Sequence, residues 1–132
     1  MHRSIVTSVA MAQILLAGTV LAAEENYGPL KTQATTIGKV LADPNGMTLY
    51  TYDKDGAGQS NCNGECAQYW HPYLAAPDSK PFGHMTLVVR TDGKKQWAYE
   101  NKPLYTFVQD TVPGEIKGND FHNNWHVVVV SA

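Results

Sequence analysis

Hydrophobic positions divide this chain into one long apolar run and a series of short alternating segments. The run extends from Ile5 to Leu21, preceded by Met-His-Arg and followed by Ala22-Ala23-Glu24-Glu25. A short positive stretch, an apolar segment and small residues ahead of a polar region are the layout of a secretory signal peptide. Cleavage is expected after Ala22 or Ala23, which makes residues 1–22 the signal peptide. Ser8, Gln13, Gly18 and Thr19 interrupt the run, so it falls short of the roughly 20 strongly apolar residues of a stable span. No membrane span is expected after processing. Residues 23–35 are polar and without period, and predict a flexible N-terminal arm before a single domain over 36–132.

Within that domain the period is 2. Val40-Leu41-Ala42 leads into Asp43-Pro44-Asn45-Gly46, the residue order of a type I turn. Met47 to Tyr52 follows as a strand, with Tyr50 and Tyr52 on one face and Leu49 and Thr51 on the other. Asp53 to Gly64 is rich in Asp, Gly, Asn and Ser and reads as loop. Glu65 to Trp70 is long enough for one helical turn, stopped ahead of Pro72. Met85 to Arg90 reads as a buried strand, Asp92-Gly93 as a hairpin turn, and Gln96 to Tyr99 as the return. Leu104 to Phe107 and Trp125 to Val130 are further strands. Short strands at regular spacing with almost no helical period predict an all-β fold, a small sandwich or barrel. At most one short helix is expected, near the cysteines. The aromatics all lie beyond the signal peptide and are expected to supply the core.

Leu49-Tyr50-Thr51-Tyr52-x-x-Asp55 returns as Leu104-Tyr105-Thr106-Phe107-x-x-Asp110, at a constant offset of 55 residues. Two copies are too few for a solenoid, so two related hairpin units are expected to pair within one core. In each copy the two aromatics share a strand face while the Asp falls where strand gives way to loop. A carboxylate there accepts backbone N–H groups and fixes a turn. A tyrosine hydroxyl is also placed to pair with the Asp of the other copy. This reading gives Tyr50, Tyr52, Asp55, Tyr105, Phe107 and Asp110 structural roles. The catalytic alternative pairs Asp55 with Asp110 as acid and base in a hydrolase.

At these residues the chain resembles the secreted and lipoprotein repeats named for a Tyr-x-(Phe/Trp/Tyr)-x-x-Asp motif. The likeness takes in Cys62-x-Gly64-x-Cys66 with Trp70, Arg90-x-Asp92-Gly93 with Gln96-Trp97, Pro103-Leu104-Tyr105 and Trp125. It spans roughly residues 38 to 130. Many such relatives carry a lipid-acceptor cysteine, which this chain lacks, and His71 stands where a first proline is common. The resemblance implies no established activity. For some relatives it implies a loose association with alkane catabolism, hence the reading of an accessory factor in hydrocarbon breakdown.

Composition narrows the chemistry further. Loss of Arg3 with the signal peptide takes the formal charge from −2 to −3. The lysines form no basic stripe, so nucleic acid is not an expected partner. Export and an even cysteine count predict a Cys62–Cys66 disulfide. Its short loop gives it only about 2 kcal/mol in the chain-entropy account. A redox pair or a metal-ligand pair is the alternative, although redox pairs usually leave two intervening residues rather than three. Asp53-x-Asp55-Gly56 opens like a calcium loop, but Ala57 and Gly64 fall where ligands are required. His84, Met85, His122 and His126 are the candidate ligands for a copper-type metal site; Asn123-Asn124 before a valine-rich strand argues against a helical His122/His126 pair. No nucleophile elbow, phosphate loop or metalloprotease motif is present. The chain reads as a periplasmic or secreted protein, without a cofactor and non-enzymatic, that binds an envelope protein or a small molecule. A metal-binding or redox-associated protein is the alternative.

Overall fold

The computed structural model describes residues 30–131. The expected signal peptide and the start of the expected arm lie outside the described residues. Residues 31–35, expected to be part of that arm, instead form a strand. Lys31–Thr35 (β1) pairs antiparallel with Gly38–Ala42 (β2) along its whole length, and the preceding Leu30 is buried in the core. The correction has a local cause. Thr35 closes the two-residue turn, its hydroxyl donating to the Gly38 carbonyl and accepting the Ile37 N–H, so polar residues suffice for a solvent-facing edge strand.

The remaining elements in chain order are β3 (Tyr50–Tyr52), α1 (Cys66–Tyr69), β4 (Trp70–Pro72), β5 (Leu74–Ala75) and β6 (Met85–Val89). They continue with β7 (Lys95–Tyr99), β8 (Lys102–Pro103), β9 (Tyr105–Phe107), a 3₁₀ turn (Phe121–Asn123), β10 (Trp125–Val127) and β11 (Val129–Ser131). Among the described residues the fold is mostly β with one short α-helix beside the cysteines, as expected. Three antiparallel sheets form: β1-β2-β11, β10-β3-β9-β4 and β5-β7-β6, with β8 also on β7. Among the described residues the sheets form no closed barrel.

The predicted type I turn is present. Gly46 N–H donates to the Asp43 carbonyl, and Asp43 Oδ1 accepts the N–H groups of Asn45 and Met47. Gly46 itself has a φ of 87°, which favours glycine. The expected closing strand Trp125 to Val130 differs from what is seen. It divides at Val128, whose carbonyl accepts the Leu41 N–H, and its halves join different sheets. The expected strand through Arg90 ends at Val89.

The offset of 55 organises all three sheets. It carries β3 onto β9, β4 onto β10 and β5 onto β11. In the central sheet Trp70 pairs with Phe107, His71 with Thr106 and Pro72 with Tyr105. The same register returns as Trp125 with Tyr52, His126 with Thr51 and Val127 with Tyr50. Tyr50 pairs with Tyr105, its own counterpart, so the pseudo-twofold axis passes between these tyrosines. Each copy sends its last strands into the other: β4 and β5 pair with β9 and β7, while β10 and β11 pair with β3 and β2. Neither copy has a complete sheet system without its partner.

Alternation along the strands separates two cores. Leu41, Leu49, Met85, Trp97 and Leu104 fill one. Tyr50, Cys62, Trp70, Tyr105, Phe107 and Trp125 fill the other. Leu49 and Tyr50 are both fully buried, on opposite sides, as period 2 requires.

Candidate functional site

The aromatic core is a column. Tyr52, Trp125, Trp70 and Phe107 stack in that order, with centroid separations of 4.1, 3.8 and 4.1 Å and interplanar angles of 12°, 3° and 17°. The two tyrosines on the axis meet it edge-on, Tyr50 against Trp70 and Phe107, Tyr105 against Trp125. The edge contacts are an arrangement that the ring quadrupole favours. Tryptophans 70 and 125 are themselves related by the offset of 55. That periodicity could have identified the pair from sequence, had it been followed beyond the seven-residue motif.

Burial of the two tyrosine rings leaves two hydroxyls needing partners, and each finds the carboxylate of the other copy. The Tyr50 hydroxyl donates to Asp110 Oδ2 at 2.6 Å, and the Tyr105 hydroxyl to Asp55 Oδ2 at 2.8 Å. The second oxygen of each aspartate accepts a backbone N–H, from Lys117 for Asp110 and from Asn61 for Asp55. Each aspartate N–H also closes a turn onto the carbonyl of the motif's second aromatic residue. Burial raises the pKa of both carboxyls above the ordinary value, against the lowering effect of these hydrogen bonds. Burial also pushes both tyrosine hydroxyls well above theirs. Asp55 and Asp110 are thus each engaged by a tyrosine and a backbone amide rather than by each other.

Around Tyr105 the network extends to a buried cation. Arg90 is 7% exposed. Its guanidinium donates to Ser60 Oγ, Gln96 Oε1, the Cys62 carbonyl and Asn63 Oδ1. Because the Tyr105 hydroxyl gives its one proton to Asp55, the 2.5 Å contact of Ser60 Oγ with that hydroxyl has serine as donor. A polarised chain therefore runs Arg90, Ser60, Tyr105, Asp55, joining the buried cation to its counter-charge through two hydroxyls. The sequence reading missed Arg90 and Ser60 as a pair because 30 residues separate them.

In the second copy, Glu115 closes the loop after Asp110. Its carboxylate accepts the Thr111 and Val112 N–H groups, which hold its pKa down at about 2. A depressed carboxyl contributes stability above its ordinary pKa of 4.5, lost as pH falls towards 2. Glu115→Gln is therefore expected to melt below the parent protein at pH 7, with the gap closing between pH 4.5 and about 2. Thermal melts of both proteins across that range provide the check.

One side of the column opens to solvent. Glu65, Cys66, Tyr69, Trp70, Phe107, Gln109, Phe121 and Trp125 line a groove of about 510 Å³. It straddles the axis, for the offset of 55 relates Trp70 to Trp125 and Cys66 to Phe121. The copies differ here in kind. The first contributes α1 and the Cys62–Cys66 disulfide, the second Phe121 on a segment in which Asp120, His122 and Asn123 all have positive φ. Such backbone costs about 1–3 kcal/mol per residue, and it holds Phe121 edge-on to Trp70. Tyr69 and Phe121 are 53% and 36% exposed on the walls.

The histidines do not gather. His126 lies between Asp53 and Asp120, one nitrogen to each, which raises its pKa through the Asp53 bond first. His84 pairs with Glu100. His122 packs on Phe121, and Met85 is wholly buried in the aliphatic core. His84 lies exposed in the turn ahead of β6, whereas the adjacent Met85 is inside. Among the described residues no group of three or more His, Cys, Asp or Glu is arranged to hold a metal ion. Asp55, but not Asp110, borders a polar cavity of about 260 Å³ with Asp53, Glu100 and Lys102.

Fold and site together define a class: a two-copy β protein in which interlocked repeats enclose an aromatic column. Residues 31–73 and 86–129 match a family described as a secreted repeat of unknown function. These segments cover more than half of the chain, which belongs to that family. No curated protein and no solved structure matches it. No helix among the described residues is long and apolar enough to cross a membrane.

Proposed function

We propose that this protein is an exported, non-enzymatic binding module, released to the periplasm or beyond by removal of residues 1–22, with the axial groove as its binding site. In this reading Tyr50, Tyr105, Asp55 and Asp110 lock the halves together and the groove is what the lock positions. The observation that carries it is the groove itself: aromatic walls, few polar groups and the volume of a small-ligand site. Rigid ring stacks beneath it hold its shape before any occupant arrives, which limits the ordering cost of binding. An alkyl chain, free or carried by an envelope component, is the occupant that these walls suit.

A bromoalkyl alcohol, 11-bromo-1-undecanol, tests this, since its heavy atom quenches a tryptophan that it touches. Saturable quenching is expected from Trp70 and Trp125 beneath the groove, lost in Phe121→Glu, which places a charge on the wall. Quenching that rises linearly, no more strongly than with 2-bromoethanol, would rule the site out.

A further inference from the structure

The groove has a feature that binding alone does not use: a disulfide in its wall, with its two sulfurs in unequal settings. Cys66 opens α1, is only partly buried and lines the groove. Cys62 is fully buried in the aromatic core. A thiol entering from the groove therefore meets Cys66 first, and the collinear displacement of disulfide exchange makes Cys62 the leaving sulfur.

The main chain of Cys62 is also held by a cation. The Arg90 guanidinium donates to the Cys62 carbonyl at 2.8 Å, to the side chain of the next residue, Asn63, and to Ser60. All its hydrogen-bond acceptors given above are neutral; its counter-charge Asp55 feels it through space but is joined to it by hydrogen bonds only through Ser60 and Tyr105. A cation anchored on the leaving cysteine's own carbonyl assists departure of its sulfur as thiolate. The Trp70 carbonyl lies 4.0 Å from the Cys62 sulfur, an acceptor for the proton once the thiolate is neutralised.

We propose that the Cys62–Cys66 bridge is a thiol–disulfide exchange site for an apolar thiol seated in the groove, with Cys66 the sulfur attacked and Cys62 the sulfur released. The thiolate sulfur of the substrate forms a bond to Cys66 Sγ, and the Cys62–Cys66 bond breaks. Cys62 departs with the electron pair and takes up the proton that the substrate thiol gave up. A second substrate thiol attacking the mixed disulfide completes the oxidation of two thiols to one disulfide, leaving both cysteines reduced. The preference for an apolar thiol rests on the groove reading above; the choice of sulfur rests only on burial and on Arg90.

The test uses the mature, oxidised protein with benzyl mercaptan and with glutathione. Each rate is divided by that thiol's rate on the oxidised peptide spanning residues 60–72, which carries the same bridge without the groove. Free thiols are then alkylated and the mixed disulfide is located by mass spectrometry. The expected result is benzyl mercaptan on Cys66, an alkyl tag on Cys62, and a normalised rate about tenfold above that of glutathione. Tyr69→Ala, at an exposed wall position, is expected to bring that ratio down to about one, with its melting temperature reported alongside. Attack at Cys62, equal normalised rates in the parent protein, or a Tyr69→Ala ratio unchanged from the parent would overturn the proposal. The bromoalkyl experiment contains no thiol, so failure of exchange and failure of groove binding are separately visible.

Discussion

Trp70→Ala is expected to cost about 3–5 kcal/mol of stability, the range for deleting a large buried aromatic side chain. Trp70 is the ring that the rest of the column depends on. It stacks between Trp125 and Phe107, and Tyr50 and Phe121 meet it edge-on. Its removal opens a cavity on the axis, where two strands from different copies converge, and partial collapse cannot fill it without breaking the Trp70–Phe107 register pair. A small domain holds only about 5–15 kcal/mol in total, so this loss consumes much of it. Trp70→Phe retains a stacked ring and is expected to lose less than half as much. Urea unfolding at pH 7 measures both; a Trp70→Ala loss below about 1 kcal/mol would mean that the column contributes little.

Gly118→Ala is the second large effect, and it arises from adding matter rather than removing it. A Cβ at Gly118 would lie 2.5 Å from Trp70 Cη2 and 3.0 Å from Phe107 Cδ2. Both atoms belong to rings already stacked, so neither has room to retreat. Nor is the backbone free to move, because the Gly118 N–H donates to the Tyr50 hydroxyl at 3.1 Å. Overpacking of a close-packed interior costs about 1–3 kcal/mol, and this position belongs at the upper end. Gly56→Ala is the control: the nearest atom to its Cβ is 3.7 Å away, and its effect is expected within about 0.5 kcal/mol. Equal unfolding midpoints for the two variants would show that the column yields more readily than its geometry indicates.

Much of the fold was legible in the sequence because it is written in short-range patterns. Alternation assigned Leu49 and Tyr50 to opposite faces, Asp43-Pro44-Asn45-Gly46 declared its turn, and the repeated heptapeptide announced that two halves would meet. What was not legible depends on three-dimensional juxtaposition. Residues 31–35 carry no apolar alternation because they form an edge strand, which needs none. Residues 125–130 read as one strand because nothing in a run of valines marks the point where the chain passes from one sheet to another. Arg90 was legible as the end of a buried strand but not as the centre of a network: its hydrogen-bond acceptors, at positions 60, 62, 63 and 96, become neighbours only on folding. The groove was invisible for the same reason, being assembled from both copies at once. Its Trp70–Trp125 pair, by contrast, lies at the repeat offset and was open to discovery.

Each copy's tyrosine is completed by the other copy's aspartate. Double-mutant cycles measure this directly, by urea unfolding of Tyr→Phe, Asp→Asn and the paired variants. Coupling of about 1–2 kcal/mol is predicted for Tyr50 with Asp110 and for Tyr105 with Asp55, while Tyr50 with Asp55 should be additive within about 0.5 kcal/mol. Coupling confined to residues of the same copy, with none across copies, would contradict the account.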